Sequence, residues 1–116
     1  MQLRGTYLNF EEFKLNQQLI TALKTVGHTT PTEIQENAIP VALEGQDILA
    51  IAPTGTGKTL AFLLPIFEKL IKEKSGDIKA LILVPTRELA EQIYQVTVIP
   101  TYGALMFQIT LHLTMD

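Results

Sequence analysis

The sequence predicts an α/β fold, a parallel sheet with flanking helices. Two short apolar runs, "DILAIA" (residues 47–52) and "KALILV" (residues 79–84), have the length of strands buried on both faces. They alternate with segments whose apolar residues recur at helical spacing, and that alternation argues for a parallel sheet covered by helices. Between the first run and the next helical segment stands "APTGTGKT" (residues 52–59), a glycine-bearing strand-to-helix turn of the kind that cradles phosphate.

The helices can be justified in order. Asn16 can cap a helix through "QQLITALKTV", with Leu19, Ile20, Leu23 and Val26 on one face and Gly27 as the stop. Thr30, Pro31 and Glu33 read as the next start: a cap, a proline at the first helical position and a capping-box acid. That helix is predicted to run to about Leu43, kinked or ended near Pro40, with Gly45 turning the chain into the first strand. From Lys58, the residues Leu60, Leu63, Leu64, Phe67, Leu70 and Ile71 keep helical spacing up to "EKSGD", with a bend at Pro65. Thr86 can cap a last helix through "RELAEQIYQV".

A chain of 116 residues can build one small core but not two domains. With 47% apolar and 18% charged residues it has enough apolar surface to fold, which argues against disorder throughout. The formal charge of -3 provides no global attraction for a polyanion, so nucleic-acid contact has to come from a local basic spot. The absence of cysteine excludes disulfides, thiol catalysis and cysteine-zinc sites. Together with a start that lacks an apolar signal core, it places the protein in the cytoplasm. His28 reads as a partly exposed packing residue, since two histidines without cysteine make a poor metal cage.

The last part of the chain differs from the rest. Residues 92–115 carry no formal charge with His112 neutral, yet Pro100, Gln108, His112 and several threonines make membrane insertion costly, so no membrane span is expected. Within that run "QITLHLTM" alternates polar and apolar, the pattern of a half-buried strand.

The turn carries the chemistry. A phosphate cradle needs inward backbone N–H groups, glycines where a side chain would collide, and a lysine reaching the outer phosphates from a helix start. Gly55, Gly57 and Lys58 meet those needs, and the Thr59 hydroxyl can sit on a magnesium ion that bridges the phosphates. The bland alternative is a turn with an exposed lysine. The general motif opens on glycine, whereas this chain has Ala52 there.

Residues 52–59 resemble the first motif of the DEAD-box ATP-dependent RNA helicases, in which a leading alanine is usual. "GHTTPTEIQ" (residues 27–35) resembles that family's Q motif, with the isolated aromatic Phe10 standing 17 residues before Gly27, and "PTRELA" (residues 85–90) resembles motif Ia. The resemblance implies an incomplete RecA-like P-loop domain that binds ATP and Mg2+. It assigns Phe10, Thr32 and Gln35 to the adenine, and Thr54, Gly55, Thr56, Gly57, Lys58 and Thr59 to the phosphates and their metal. Pro85, Thr86 and Arg87 are assigned to the RNA backbone. An amide such as Gln35 can donate to and accept from adenine at once, and a phenyl ring can pack on a flat base. Taken singly, Phe10 is as well read as core, Gln35 as a solvated helix residue, and Arg87 as the ion-pair partner of Glu88 or Glu91.

The motif resemblance spans residues 10–95, so residues 1–95 read as the amino-terminal part of the first RecA-like domain and residues 96–116 as a divergent tail. The sequence holds no "DEAD", "SAT" or "TPGR" run and no glycine pair. The carboxylates and arginine finger that the family's hydrolysis requires are therefore absent. Charge and resemblance are lost at the same place, which points to a truncated or frameshifted helicase gene. Its product would bind ATP, contact RNA weakly and lack turnover. The alternatives are a non-catalytic adenine-nucleotide module and a remnant without function. In this reading the strands that would flank residues 47–52 are missing, so the two runs need not pair directly and their backbone groups need other partners.

Overall fold

A computed structural model describes residues 7–72 and 78–97. Among them are a 3₁₀ helix, Phe10–Phe13, and four α-helices: α1, Gln17–Thr25; α2, Glu33–Leu43; α3, Lys58–Lys72; and α4, Arg87–Thr97. The proposed tail strand and the "EKSGD" stop fall outside the described residues.

Local chemistry sets the ends of these helices. Asn16 caps α1 through its side chain, which accepts from the Gln18 N–H at 2.9 Å. At the other end Gly27, at φ +86°, donates to Lys24 O while His28 N–H donates to Leu23 O at 2.8 Å. This pair of bonds is the Schellman closure, which a left-handed glycine makes cheap. Gly45 closes α2 in the same way. The start of α2 differs from expectation: the cap is Thr32, two residues beyond Thr30, and the box is completed by Gln35 rather than Glu33. Pro31 therefore lies outside the helix, and it is buried. Both internal prolines, Pro40 and Pro65, are carried within continuous helices.

α3 is the central element, packing on α2 most extensively and also on α1. Its apolar face, Leu60, Leu63, Leu64 and Phe67, is buried as its spacing predicts. It meets Leu19, Ile20 and Leu23 of α1, Ile39 of α2 and Ile93 of α4 in one cluster, which Phe10, Phe13 and Leu15 close from the N-terminal side.

The sheet expected from the sequence is not seen among the described residues. No strand occurs among the described residues, and residues 47–52 and 79–84 run as irregular, mostly exposed chain, with Val84 half-buried against the core. Leu49 is 91% exposed and Leu83 is 85% exposed. A strand exists only where a neighbour answers its N–H and C=O groups in a ladder, and neither run is assigned to one among the described residues. Apolar composition alone does not make the ladder.

This contrast sets a stability test. Leu64→Ala, at a fully buried position, is expected to lower urea-unfolding stability by about 2–5 kcal/mol. Leu49→Lys combined with Leu83→Lys is expected to change it by about 0.5 kcal/mol or less, as for exposed positions. A loss of several kcal/mol in the double lysine variant would mean that the two runs are buried in solution.

Candidate nucleotide-binding site

The site begins with a helix cap. Thr32 N–H donates to Gln35 Oε1 at 2.9 Å, and Gln35 N–H donates back to Thr32 Oγ1 at 3.4 Å, the reciprocal capping box. The Gln35 side chain then does a third thing. Its Nε2 donates to Gly57 O at 3.1 Å, joining the start of α2 to the turn that precedes α3. The amide is 3% exposed, so all this polarity is satisfied inside the molecule.

The turn is shaped by its glycines. Gly55 and Gly57 stand at φ +84° and +87°, the left-handed region that other L residues occupy at a cost. The two positions are not equivalent. A Cβ on Gly55 would meet open space, while one on Gly57 would lie 2.5 Å from Gln35 Nε2 and 2.9 Å from Thr32 Oγ1. The Thr56 hydroxyl donates to Pro53 O at 2.6 Å and tightens the turn.

Lys58 opens α3 and is exposed. The first hydrogen bond of the helix is donated by Ala61 N–H to Gly57 O, at 3.2 Å. The N–H groups of Lys58, Thr59 and Leu60 therefore precede the helical ladder and are free for an external acceptor, at the positive end of the helix dipole. These donors, the two left-handed glycines and an exposed ammonium gather into a cationic cradle at the start of α3, where Thr59 adds a hydroxyl. Such a set suits the oxygens of a polyphosphate and a hard cation bound to them.

Beside the cradle is an open depression of about 340 Å³ between α2 and residues 51–56. Ile34, Asn37 and Ile51 line it together with Thr32 and Thr56. Sequence reasoning did not single out Ile34, Asn37 or Ile51. The first two stand three residues apart on α2 and so share a face of that helix.

The structure brings together Thr32, Gln35, Thr56, Gly57 and Lys58, with Gly55 and Thr59 adjoining them and exposed Thr54 beginning the turn. It does not offer Phe10 as an open surface. That ring is 3% exposed and packs near Phe13 with centroids 6.0 Å apart, so in this structure both its faces belong to the core. Gln35 likewise spends its donor and acceptor on the cradle and the cap, where the sequence reading directs them to a base.

Pro85, Thr86 and Arg87 form the exposed start of α4. Thr86 caps it, its Oγ1 accepting from Leu89 N–H at 3.2 Å. Arg87 Nε lies 4.0 Å from Glu91 Oε1, one of the two ion-pair partners that the bland reading allows. Both side chains are more than half exposed, so the pair contributes little to stability.

Comparison with known proteins follows the same residues. The family model of the DEAD/DEAH box helicases matches residues 32–114, running past residue 95, where the motif resemblance ends. The chain is 48% identical over 95 residues to the ATP-dependent RNA helicase DBP9 of Ajellomyces capsulatus, covering 78% of this chain and 15% of that protein. It is 52% identical over 91 residues to the ATP-dependent RNA helicase SrmB of Escherichia coli, covering 76% and 20%. Among solved structures, the RNA helicase Prp28 from Chaetomium thermophilum bound to ADP superposes with a TM-score of 0.74 at 40% identity. That match covers 84% of this chain and 24% of the other. The chain thus spans about a fifth or less of the length of these two curated relatives.

The two glycines differ in a measurable way. Gly55→Ala is expected to cost only the left-handed backbone, about 1–2 kcal/mol. Gly57→Ala is expected to cost a further ~1–3 kcal/mol, because the new methyl displaces an amide held by two hydrogen bonds. Urea unfolding of both variants checks this, and equal losses would show that the Gln35 amide moves aside freely.

Proposed function

The chain belongs to the DEAD/DEAH box helicase family, and from that membership we propose that it binds ATP and Mg2+ through the cradle of Gly55, Thr56, Gly57, Lys58 and Thr59. One observation carries this reading: three unladdered N–H groups and an exposed lysine converge at the start of α3, beside glycines whose positive φ opens the turn. Lys58 and the N–H groups hold the phosphates. Thr59 supplies an oxygen for the cation, which when bound neutralises phosphate charge. Thr32 and Gln35 fix the cradle from the side of α2, and Thr54 opens the turn.

On the same reading the base lies towards the residues that precede α1, where Phe10 stands, and its recognition requires the Phe10 side chain to turn a face towards it while the backbone of that corner keeps its seat on α3. Pro85, Thr86 and Arg87 serve the RNA backbone. The exposed guanidinium and the start of α4 suit a phosphate that displaces Glu91. Contacts of this kind provide affinity without reading sequence, and a single arginine in a chain of net charge -3 makes that affinity weak. The site acts in the cytoplasm.

Hydrolysis is a different matter. Activating water needs a positioned carboxylate, and stabilising the transition state needs a cationic finger. No residue of the cradle or of the α4 start supplies either. The function proposed for these residues is nucleotide binding without turnover, the share of an ATP-dependent RNA helicase that residues 1–95 can perform. A second reading, a chain that binds nothing, is favoured by the exposure of Leu49 and Leu83, which leaves the cradle without a rigid strand behind it.

Titration with a fluorescent ATP analogue and Mg2+ separates the two. Saturable binding is expected, weakened roughly 10–100-fold by Lys58→Ala, the worth of one charge-assisted phosphate contact. ATPase activity with added RNA is expected to stay at background. Absence of saturable binding would favour the second reading, and RNA-stimulated turnover would restore full catalysis.

A further inference from the structure

We propose that Glu68 is a positioning residue of the nucleotide site, holding the base-side corner of the chain against the helix that carries the phosphate cradle. The proposal rests on the nucleotide-binding reading above, and its own observation is separate from it. Glu68 lies on the buried face of α3 and is 6% exposed, an unusual place for a carboxylate. Its Oε2 accepts from Asn16 N–H at 2.8 Å, across 52 residues of chain. Its other oxygen lies 3.6 Å from Lys72 Nζ, one turn further along α3.

Asn16 is the cap of α1, and residues 10–15 lead into it. A buried carboxylate that takes the backbone N–H of that cap therefore fixes where the whole corner, Phe10 included, sits on α3. The competing polar tie is weaker: Lys24 and Glu11 pair at 2.6 Å, but with side chains 59% and 53% exposed. The apolar contacts of Phe10, Phe13 and Leu15 supply affinity for the core without specifying register, whereas the Asn16–Glu68 bond is directional and partly buried.

The geometry also separates this tie from the cradle. Glu68 follows Lys58 by ten residues on one helix, or roughly 15 Å at the rise of an α-helix. Loosening the corner therefore alters the base side of the site and leaves the phosphate side intact. Glutamine at position 68 keeps an acceptor for Asn16 N–H; alanine does not.

The test uses the full chain with Glu68→Ala and Glu68→Gln, and two readouts. Amide hydrogen exchange by NMR follows Asn16 and residues 10–15 against Gly57 as an internal reference. Affinity is measured for ATP and for inorganic triphosphate. In Glu68→Ala, Asn16 exchange is expected to rise by about tenfold or more, and ATP affinity to fall by about tenfold, the scale of one lost charge-assisted bond. Triphosphate affinity is expected to stay within about twofold, since the cradle keeps its own bonds. Glu68→Gln is expected to restore most of both the protection and the ATP preference. Unchanged Asn16 exchange, or equal weakening of ATP and triphosphate, would overturn the proposal. So would a Glu68→Gln variant that behaves as Glu68→Ala does. If the wild-type chain binds no ATP, the nucleotide reading fails and the base-side role falls with it. Faster Asn16 exchange in Glu68→Ala would still support the tie, which keeps the two failures distinct.

Discussion

The structure depends on the contact between Gln35 and Gly57. At one point the side chain that completes the α2 cap reaches the carbonyl from which α3 begins. Gly57 O accepts from both Gln35 Nε2 and Ala61 N–H, so the position of α2 and the first turn of α3 are set by the same oxygen. The approach is close enough that only a hydrogen fits where a Cβ would be. Glycine is therefore required there twice, by backbone angle and by space, and the shape of the cradle follows from that double requirement.

From this crossing point α3 runs through the whole of the described core. Its first turn points N–H groups outward, its middle buries Leu63, Leu64 and Phe67, and its later part receives the α1 cap on Glu68. Two polar ties thus bracket one apolar helix. In each of them a buried side chain satisfies the backbone of another element, and such bonds cost most when broken because the side-chain end is sheltered from water. α1 and α2 are held by the same spine through different chemistry, a carboxylate for one and an amide for the other.

Much of this was legible in the sequence where the cause is local. Asn16, Gly27, Gly45 and Thr86 terminate helices as read, and the buried face of α3 follows from its spacing. The cap of α2 was misplaced because two threonines two residues apart each begin an acceptable start signal. What decides for Thr32 is a tertiary bond, since Gln35 is the residue that can complete the box and also reach Gly57. The strands are a related case. An apolar run records the capacity to be buried, but whether a strand partner exists is a property of the rest of the fold, and residues 47–52 and 79–84 form no ladder among the described residues. Phe10 shows the same limit: its spacing from Gly27 marks the family, while its burial is set by Phe13 and the α1–α3 core.

The family's sheet and this chain's helices lead to a physical point about where a phosphate cradle gets its rigidity. In a P-loop the preceding strand is expected to anchor the turn, yet here residues 48–51 are exposed and the turn still holds two left-handed glycines and a tight Thr56–Pro53 bond. The anchoring comes from the other side, through Gln35, from a helix start rather than from a strand end. A cradle supported on one side takes its inner geometry from its own glycines and the Thr56–Pro53 bond, and its placement from the Gln35–Gly57 bond. In the nucleotide binding proposed for it, N–H groups that belong to the first turn of α3 would hold phosphate and depend less on a strand behind the turn than the aim towards the base, which relies on elements α3 has to hold at a distance.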